Sequence, residues 1–410
     1  MKLIGPFTQL LTMDHLPPKG SIADDQLEII ANAGLMVDDG LVVETGDYLN
    51  LEKKAIQHGY EFEKLHGEMV AIPGLIDAHT HLCWAGSRAD DYAKRLSGKT
   101  YLEIAAEGGG IWSTVQKTRA ASLEELQAIT QNRANEMLLN GITTIEVKSG
   151  YGLSVEAELI MLKAIKTAKT KADLISTCLA AHVCPKDYNG NPTQYLQMIV
   201  NQLLPKVKEQ NLSHRIDIFI EASAFGVDEA RVYLQQAKAL GFDLVIHGDQ
   251  FSMGGSQLAI ESGAVSVDHL EVSDKKAISA IAKSNVVAVV LPGASIGLGL
   301  PFAPARQLLD AGACVAIASD WNPGSAPMGN LLCQAVIMGS YEKLTMAETL
   351  AAITVRAAKA LKLDDRGVFK PGNIADIVAF PTNDFREIIY RQGMLKHLQV
   401  WKRGTPIRPR

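Results

Sequence analysis

Two histidines separated by one residue, His79 and His81, are the first side chains in this sequence whose spacing indicates chemistry. They end a short apolar run that begins after a Pro-Gly pair and that contains Asp77 two residues upstream. Residues two apart on an α-helix point about 200° from each other, whereas on a β-strand they project from the same face. We therefore expect a short strand that presents both imidazoles to one side, which is half of a metal site. A solvent-exposed hairpin would show the same spacing, so other parts of the sequence are needed to distinguish a metal site from a hairpin.

Other polar side chains follow apolar segments that we predict to be strands. His182, Glu221, His247, His269 and Asp320 each stand at the end of such a segment. Together with the first pair, they place five of the 10 histidines of the chain at predicted strand ends. A scatter of histidines without function would rarely have this distribution, so the sequence favours a metal site over a hairpin.

Residue type decides the role of each candidate only in part. His247 is either a metal ligand or a buried histidine bonded to the backbone, and we favour the ligand. Asp320 closes an apolar strand, where an unpaired carboxylate would be costly, which favours a ligand or a base. His269 stays open as ligand, proton shuttle or partner of a developing oxyanion. We expect Glu221 to be structural or to support a ligand, and Asp77 to orient neighbouring groups.

The middle of the chain alternates predicted strands with predicted helices. Ser122 and Glu125 form a capping box that begins one helix, and Gly141 follows it as a helix stop. After the strand that carries the first histidine pair, the predicted strands are Ile142–Val147, Leu174–Ala181, Ile216–Glu221, Leu244–His247, Val265–His269, Val286–Leu291 and Val315–Ser319. Eight such units in one run predict a closed parallel (β/α)8 TIM-like barrel. The rival is a doubly wound open sheet, which often carries a Gly-rich phosphate turn, but Gly108–Gly110 follows no predicted strand.

In such a barrel the loops that follow the strands meet at one mouth, where catalytic side chains lie. The strand-end candidates would therefore come together there. Arg88 and Tyr151 stand on loops beside this mouth and are either substrate contacts or ordinary surface residues.

Both ends of the chain contain short strand-like pieces of a different character, such as Leu41–Val43 and Ile374–Phe380. We expect residues 1–66 and 366–410 to form one composite β-sandwich domain, and residues 67–365 to form the barrel.

Composition excludes several classes of protein. The 410 residues are 47% hydrophobic and 21% charged, with a net charge of −5, which argues against nucleic acid as a partner. The five cysteines are scattered and without CxxC spacing, which indicates reduced thiols in a cytoplasmic protein. No apolar run reaches roughly the 18 residues that a membrane span needs, and the first residues lack the features of a signal peptide.

Several motifs carry a resemblance to a known family. PGLIDAHTHL, the later lone His247, VDHL with His269 and SDWNPG with Asp320 resemble the metal-dependent amidohydrolase superfamily. The longer segments HLCWAGSRADDYAKRLSGKTYLEIAAEGGGI, EVKSGYGL, HVCP, IHGDQF and SDWNPGSAP are similar, more narrowly, to its cyclic-amide hydrolases of histidine breakdown. The resemblance covers nearly the whole chain. It implies the same barrel, with a small β-sandwich made from both chain ends.

The resemblance also implies roles for individual positions. The implied metal ligands are His79, His81, His247 and Asp320, which would hold one divalent or trivalent metal ion, with zinc expected and iron as the alternative. The implied substrate contacts are Arg88, Tyr151, His182, Asn322, Gly324 and Ser325. Some members have a catalytic glutamate where this chain has Gln250, which cannot act as a base, so we assign Gln250 to substrate binding. Glu221 stands where two-metal members have a carboxylated lysine, which fits a single metal.

The implied reaction is hydrolysis of 4-imidazolone-5-propanoate to N-formimino-L-glutamate, a carbon–nitrogen bond cleavage in a cyclic amide. Asp320 and His269 would be the catalytic residues, and Arg88 would pair with the carboxylate of a small-molecule substrate. A heterocycle deaminase on the same barrel is the nearest alternative, and Gln250 speaks against it. A barrel that has lost catalysis and serves as an assembly scaffold is a second alternative, although all the implied ligands are present. Oligomeric state is open, with a homodimer as the default.

Overall fold

The computed structural model describes residues 1–100, 103–104 and 107–408. The described strands form two sheets of eight strands each, one from the chain ends and one parallel sheet from the middle. The first sheet contains β1 (Lys2–Leu11), β2 (Ile29–Asp38), β3 (Leu41–Asp47), β4 (Glu61–Lys64), β5 (Val70–Pro73), β14 (Ile377–Phe380), β15 (Gln399–Lys402) and β16 (Thr405–Ile407). The parallel sheet contains β6 (Leu75–Asp77), β7 (Ile142–Lys148), β8 (Asp173–Ala181), β9 (Arg215–Phe219), β10 (Asp243–Gly248), β11 (Ser266–His269), β12 (Val287–Val290) and β13 (Cys314–Ile317).

Most of the helices follow strands of the parallel sheet, whereas the first and the last lie between strands of the terminal sheet. In chain order they are α1 (Tyr48–His58), α2 (Ala89–Leu96), α3 (Ile111–Ala120), α4 (Leu123–Leu139), α5 (Val155–Thr167), α6 (Pro192–Met198), α7 (Leu204–Glu209), α8 (Val227–Ala239), α9 (Gly255–Ser262), α10 (Lys275–Lys283), α11 (Pro292–Leu298), α12 (Ala305–Asp310), α13 (Leu331–Glu342), α14 (Met346–Ala352), α15 (Val355–Ala360) and α16 (Arg386–Tyr390). The capping box of Ser122 and Glu125 begins α4 as the sequence predicts. The (β/α)8 barrel with a second, smaller domain is thereby confirmed.

The contacts that close the barrel lie in the residues that follow its first and last strands, β6 and β13, and not between the strands themselves. A parallel bridge joins Thr80 to Trp321, and the backbone N–H groups of Asp320 and His81 donate to the carbonyls of His79 and Trp321, both at 3.0 Å. These residues directly follow β6 and β13. The closure therefore lies at the carboxyl ends of the strands, where the candidate ligands are.

The terminal strands form one sheet in the order β16-β15-β14-β5-β1-β2-β3, with β4 beside β1. Phe7 on β1 and Trp401 on β15 are separated by two strands in this order, yet their ring centroids are only 6.2 Å apart. The sheet therefore curls over its own apolar face, and the two layers expected of a sandwich are one hydrogen-bonded sheet.

The first domain boundary differs from the expectation. β5 pairs with β1 and β14 in the terminal sheet, although residues 67 onward were assigned to the barrel. The chain crosses into the barrel at Gly74, between β5 and β6, where a Cβ would lie 2.3 Å from Thr143 Oγ1. Because the apolar run continues across this glycine, composition alone does not reveal the crossing.

Within the described residues, no helix has the length and apolar character of a membrane span.

Candidate metal centre

Three buried histidines converge at the mouth of the barrel. His79 and His81 follow β6, and His247 lies on β10. They meet because the carboxyl ends of parallel strands all lie at the same edge of the sheet. One ring nitrogen from each of the three lies within 4.8 Å of the others. Each residue is at most 3% exposed, so these nitrogens face a closed space rather than bulk water.

Two of these imidazoles are oriented from behind by carboxylates. His79 Nδ1 lies 2.6 Å from Asp268 Oδ2, and His247 Nδ1 lies 3.0 Å from Asp217 Oδ1. An ionised carboxylate only accepts, so each Nδ1 carries a proton, and in the neutral ring Nε2 is the nitrogen whose lone pair can bind a metal ion. Neither Nε2 has a hydrogen-bond partner among the described residues. Buried imidazole lone pairs left open in this way, with the opposite nitrogen held by a carboxylate, fit a metal ion.

Asp320 supplies the fourth group. Its Oδ1 lies 3.4 Å from His79 Nε2 and 3.4 Å from His81 Nε2. Burial raises the pKa of this carboxyl, but its proximity to the two imidazoles outweighs burial and holds the pKa well below its usual range. Three imidazoles and one ionised carboxylate are a donor set that fits a metal ion of the kind found in catalytic sites.

The backbone around the first histidine pair is held from outside the barrel. Arg133 on α4 donates from Nη1 to the carbonyl oxygens of Leu82 and Trp84, at 2.6 and 2.8 Å. Its guanidinium carbon also lies 3.3 Å from the centre of the Trp84 ring. This contact fixes the loop that directly follows His81, and residue spacing along the chain does not indicate it.

His182 lies beside the three histidines but is oriented differently. Its Nδ1 lies 3.0 Å from the carbonyl oxygen of Gly150, which can only accept, so Nδ1 carries the proton and Nε2 is an acceptor. Burial and the neighbouring His247 lower its pKa to about 4, so the ring is neutral at neutral pH. The Tyr151 ring lies 5.5 Å from this imidazole and 5.8 Å from His81, between centroids.

The loop that carries Tyr151 is held by a buried carboxylate that sequence reasoning missed. Glu158 on α5 accepts hydrogen bonds from the backbone N–H groups of Gly150, Gly152 and Leu153, at 3.1, 2.8 and 2.8 Å. A glutamate on the otherwise apolar buried face of this helix is the signal that could have found it. Its three bonds place the tyrosine at the mouth.

His269 ends β11 in a left-handed conformation, with φ +87°. Its ring centroid is 5.4 Å from that of His247 and 6.0 Å from that of His79. Its Nδ1 lies 3.3 Å from Glu271 Oε1, and the other oxygen of this buried carboxylate has no hydrogen-bond partner among the described residues. Sequence reasoning missed Glu271, which lies two residues from His269 and directly follows the VDHL motif.

Arg88 and Gly324 lie next to each other at the rim of the site. Arg88 Nε donates to Asp91 Oδ2 at 2.8 Å, which orients the two terminal nitrogens of the guanidinium. A Cβ built on Gly324 would lie 2.4 Å from Arg88 Nη1, so a glycine is needed for this approach. The cation and the glycine loop after β13 therefore form one wall.

The Asn322 side chain is engaged within its own loop. Its Oδ1 accepts from the N–H groups of Gly324 and Ser325, at 2.7 and 2.8 Å, and its Nδ2 donates to Asp320 O at 2.7 Å and to Ser325 Oγ at 2.9 Å. These bonds use all its usual donors and acceptors. Asn322 therefore shapes the loop around Asp320, and a direct side-chain contact with substrate would require it to give up one of these bonds.

Gln250 and Glu221 lie on the same side of the mouth. Gln250 is 6% exposed and follows β10 by two residues. Glu221 accepts from the backbone N–H groups of Phe251 and Ser252 and from Ser252 Oγ, at distances of 2.6 to 2.9 Å. Glu221 thus holds the loop that directly follows Gln250. Asp77 likewise accepts from the N–H groups of Ser319 and His79, at 3.0 and 3.4 Å.

The comparisons with known proteins agree with this geometry. Residues 70–407 match the model of the amidohydrolase family. An imidazolonepropionase of Deinococcus deserti is 41% identical over 93% of this chain and 94% of its own length. One of Bacillus velezensis is 39% identical over 97% and 95%.

Solved structures with the same fold are more distant in sequence. Atrazine chlorohydrolase of Arthrobacter aurescens, complexed with zinc, has a TM-score of 0.68 and 18% identity, covering 99% of this chain and 95% of that one. An adenosine deaminase of Xanthomonas campestris with bound zinc has a TM-score of 0.70 and 16% identity, covering 99% and 92%. At this identity they show the fold alone, whereas the full-length relatives identify the family. The chain belongs to the amidohydrolase family and, within it, to the imidazolonepropionase family.

Proposed function

We propose that this chain hydrolyses 4-imidazolone-5-propanoate to N-formimino-L-glutamate, a step in histidine breakdown, with one bound metal ion. The observation that carries the proposal is the buried trio His79, His81 and His247 facing Asp320, with Arg88 at the rim of the same mouth. Full-length relatives at about 40% identity carry the name of this activity. The reaction opens a cyclic amide by cleavage of a carbon–nitrogen bond.

His79, His81, His247 and Asp320 would hold the metal ion. Imidazole and carboxylate ligands suit both zinc and iron, and we propose zinc because solved structures of this fold contain it. When bound, the ion makes hydroxide available near neutral pH and polarises the ring carbonyl.

The substrate carboxylate would bind to Arg88. Its Nε is already held by Asp91, so the two terminal nitrogens remain to form the paired hydrogen bonds that a carboxylate accepts. This anchor, beside Gly324, would direct the ring of the substrate toward the histidines.

The neutral His182 would contact the ring. Because its Nδ1 proton is used by Gly150 O, its Nε2 can accept a hydrogen bond from a ring N–H and cannot donate one to an oxyanion. In this role His182 orients the ring of the substrate and does not stabilise negative charge. Tyr151 and Gln250 would complete the hydrogen bonding, and Ser325 would line the wall next to Asp320.

Asp320 and His269 would move the protons. Asp320 would accept a proton from the attacking water, whose oxygen forms the new bond to the ring carbonyl carbon. As the bond from this carbon to the ring nitrogen breaks, the nitrogen takes up that proton. His269, supported by Glu271, would stabilise the oxygen that becomes negative during the attack.

The alternative is a deaminase on the same barrel, and two solved structures of this fold are deaminases. The shared fold alone supports this alternative, because their identity to the chain is 16%. Gln250 stands where such chemistry would need a glutamate to pass protons to the departing ammonia. We therefore place imidazolone hydrolysis first.

We also propose a cytoplasmic location, no nucleic-acid partner and a homodimer. The five cysteines without a disulfide support the cytoplasmic location, and the net charge of −5 supports the absence of a nucleic-acid partner. The homodimer rests on the frequency of twofold assemblies among soluble enzymes.

The proposed function is tested by a turnover assay with freshly prepared imidazolonepropanoate, in which loss of the ring absorbance and formation of formiminoglutamate are followed together. The chelated chain and the chain reloaded with zinc or with iron are the matched controls. Metal-dependent turnover is expected. A folded, metal-loaded chain that leaves this substrate intact but releases ammonia from a purine would overturn the proposal in favour of the deaminase.

A further inference from the structure

A cluster of three carboxylates lies beneath the histidines, inside the barrel. Glu146 on β7, Asp217 on β9 and Asp268 on β11 all have fully buried side chains. Bare negative charges packed this closely without water would repel one another strongly. Some positive charge must therefore lie among them.

The cation that contacts all three is Lys148, whose side chain is also fully buried, while Arg215 Nε lies 3.6 Å from Glu146 Oε1 alone. Its Nζ lies 2.8 Å from Glu146 Oε2, 2.8 Å from Asp217 Oδ2 and 3.4 Å from Asp268 Oδ2. A single ammonium thus touches all three acids. The same geometry, an array of carboxylate oxygens around a small cation, is what a hard divalent metal ion uses in proteins.

Two of the three acids also hold metal-binding histidines from behind. Asp217 accepts from His247 and Asp268 from His79, each through the nitrogen that points away from the metal centre. A second divalent ion between these acids would compete with both hydrogen bonds for carboxylate lone pairs. An ammonium group with a single positive charge leaves the two aspartates able to keep their hydrogen bonds to the histidines.

We propose that the Lys148 ammonium is a built-in cation that fills the place of a second metal ion between Glu146, Asp217 and Asp268, and so limits this site to one metal. The inference rests on the proposed metal-dependent hydrolysis. Lys148 is a positioning residue in this account, because it acts through the two aspartates and does not touch the substrate.

The experiment removes the ammonium and asks whether a metal ion replaces it. Wild-type chain and the Lys148→Ala variant are loaded with zinc and then exposed to excess Mn²⁺. Zinc is bound more tightly than manganese by imidazole ligands, so it stays on the histidines, while the carboxylates suit manganese. Metal content per chain is measured by elemental analysis, and anomalous diffraction locates each ion.

The expected result is one zinc in the wild type, and one zinc plus one manganese between Asp217 and Asp268 in Lys148→Ala. Lys148→Met removes the charge but keeps the volume of the side chain, so it should take up no manganese. Lys402→Ala is the matched control, because Lys402 is likewise buried, with Nζ 2.8 Å from Asp173 Oδ2 and 2.6 Å from Asp376 Oδ2. Arg366 remains 2.7 Å from Asp173 there, so no manganese is expected.

Manganese between these acids in the wild type, or none there in a folded Lys148→Ala chain, overturns the proposal. If Lys148→Ala is recovered only when Mn²⁺ is present, the cation is replacing the ammonium, as proposed. If it is not recovered at all, Lys148→Ala combined with Glu146→Gln is measured in the same way, and absence of manganese there counts against the proposal. Turnover is recorded separately, so failure of the hydrolysis does not affect the metal count.

Discussion

Asp320 is joined to His79 twice, through the backbone and through the side chain. Its N–H donates to the His79 carbonyl at 3.0 Å, and its Oδ1 lies 3.4 Å from His79 Nε2. The contact that closes the barrel is thus also a contact between two proposed metal ligands. The contacts that close the barrel therefore also bring the proposed ligands together. This explains why residues 241 positions apart in the sequence meet within hydrogen-bond range.

Asp320→Asn tests the proton acceptor. The amide keeps the shape of the side chain but cannot take up a proton, so kcat should fall roughly 100- to 10,000-fold, the range of general acid–base catalysis. The remaining three imidazoles should still hold metal, which elemental analysis checks. Asp310→Asn, on a largely exposed helix end, is the control. Near-normal turnover in a metal-loaded Asp320→Asn chain would remove Asp320 from the proton-transfer role.

Gly324→Ala tests the wall formed with Arg88. The added methyl group would lie 2.4 Å from Arg88 Nη1, and the flexible arginine should move away while the loop stays folded. KM should then rise about tenfold, as expected when a charged hydrogen bond of roughly 1.5 kcal/mol is lost, with an unchanged melting temperature. Arg88→Lys should raise KM similarly because it cannot pair with both carboxylate oxygens. Gly226→Ala, at an exposed helix start, is the control. An unaltered KM in both Gly324→Ala and Arg88→Lys would contradict the assignment of Arg88 to the substrate carboxylate.

Asp217→Asn tests the support behind His247. The amide oxygen can still accept from Nδ1, but the negative charge that strengthens the imidazole as a ligand is gone. Zinc affinity, measured by competition with a chromophoric chelator, should fall roughly 10- to 100-fold. Asp243→Asn is the control, because it changes a carboxylate at the other end of β10, the strand that carries His247. It should leave the zinc affinity unchanged. Equal affinities in the two variants would show that Asp217 serves the fold only.

Glu271→Gln tests the partner of His269. Loss of the negative charge 3.3 Å from Nδ1 should weaken the stabilisation of negative charge in the transition state, and so lower kcat with little change in KM. We expect a decrease of roughly tenfold, the size of one charged hydrogen bond. Glu271→Asp, which keeps the charge, should recover part of the rate. Steady-state kinetics at saturating substrate separates the two constants, and a change in KM alone would place Glu271 in binding.

The pH dependence of stability tests the state of His182. Its pKa falls from 6.5 in the unfolded chain to about 4 in the folded one, so the unfolded state binds its proton first as pH decreases. The contribution of the neutral ring is therefore complete above pH 6.5 and is lost between that value and about pH 4. A shift of this size corresponds to roughly 3 kcal/mol, and we expect about 1 to 2 kcal/mol because the ring is partly exposed.

The measurement is chemical unfolding of metal-free protein at pH 7.5 and pH 5, for the wild type and for His182→Gln. The difference between the two pH values should be smaller in the variant by that amount. An equal decrease in both would mean that other groups cause the acid sensitivity.

Much of the fold could be predicted because periodicity is a local property. Seven of the eight predicted barrel strands coincide with observed ones to within about two residues, as boundaries defined by burial usually do. The first was expected to carry His79 and His81, but β6 ends at Asp77 and both histidines follow it. The terminal sheet was harder to predict. β1 and β2 are each ten residues long, where the glycines and charged residues suggested short pieces, and a shift of register between Ile4 and Phe7 lets β1 continue. Such an irregularity is stabilised by the neighbouring strand, which the local sequence does not contain.

The amino-acid sequence by itself determined the barrel, the histidine pair at the end of its first strand and the later histidine and aspartate at strand ends, because alternation and strand polarity follow from local order. Only the tertiary structure decided which nitrogen of each imidazole faces the centre, that His182 accepts rather than donates, and that Asn322 is used within its own loop. It also decided that Lys148 lies among Glu146, Asp217 and Asp268. These facts depend on side chains from strands far apart in sequence, and distance and hydrogen-bond direction exist only once those strands are packed side by side.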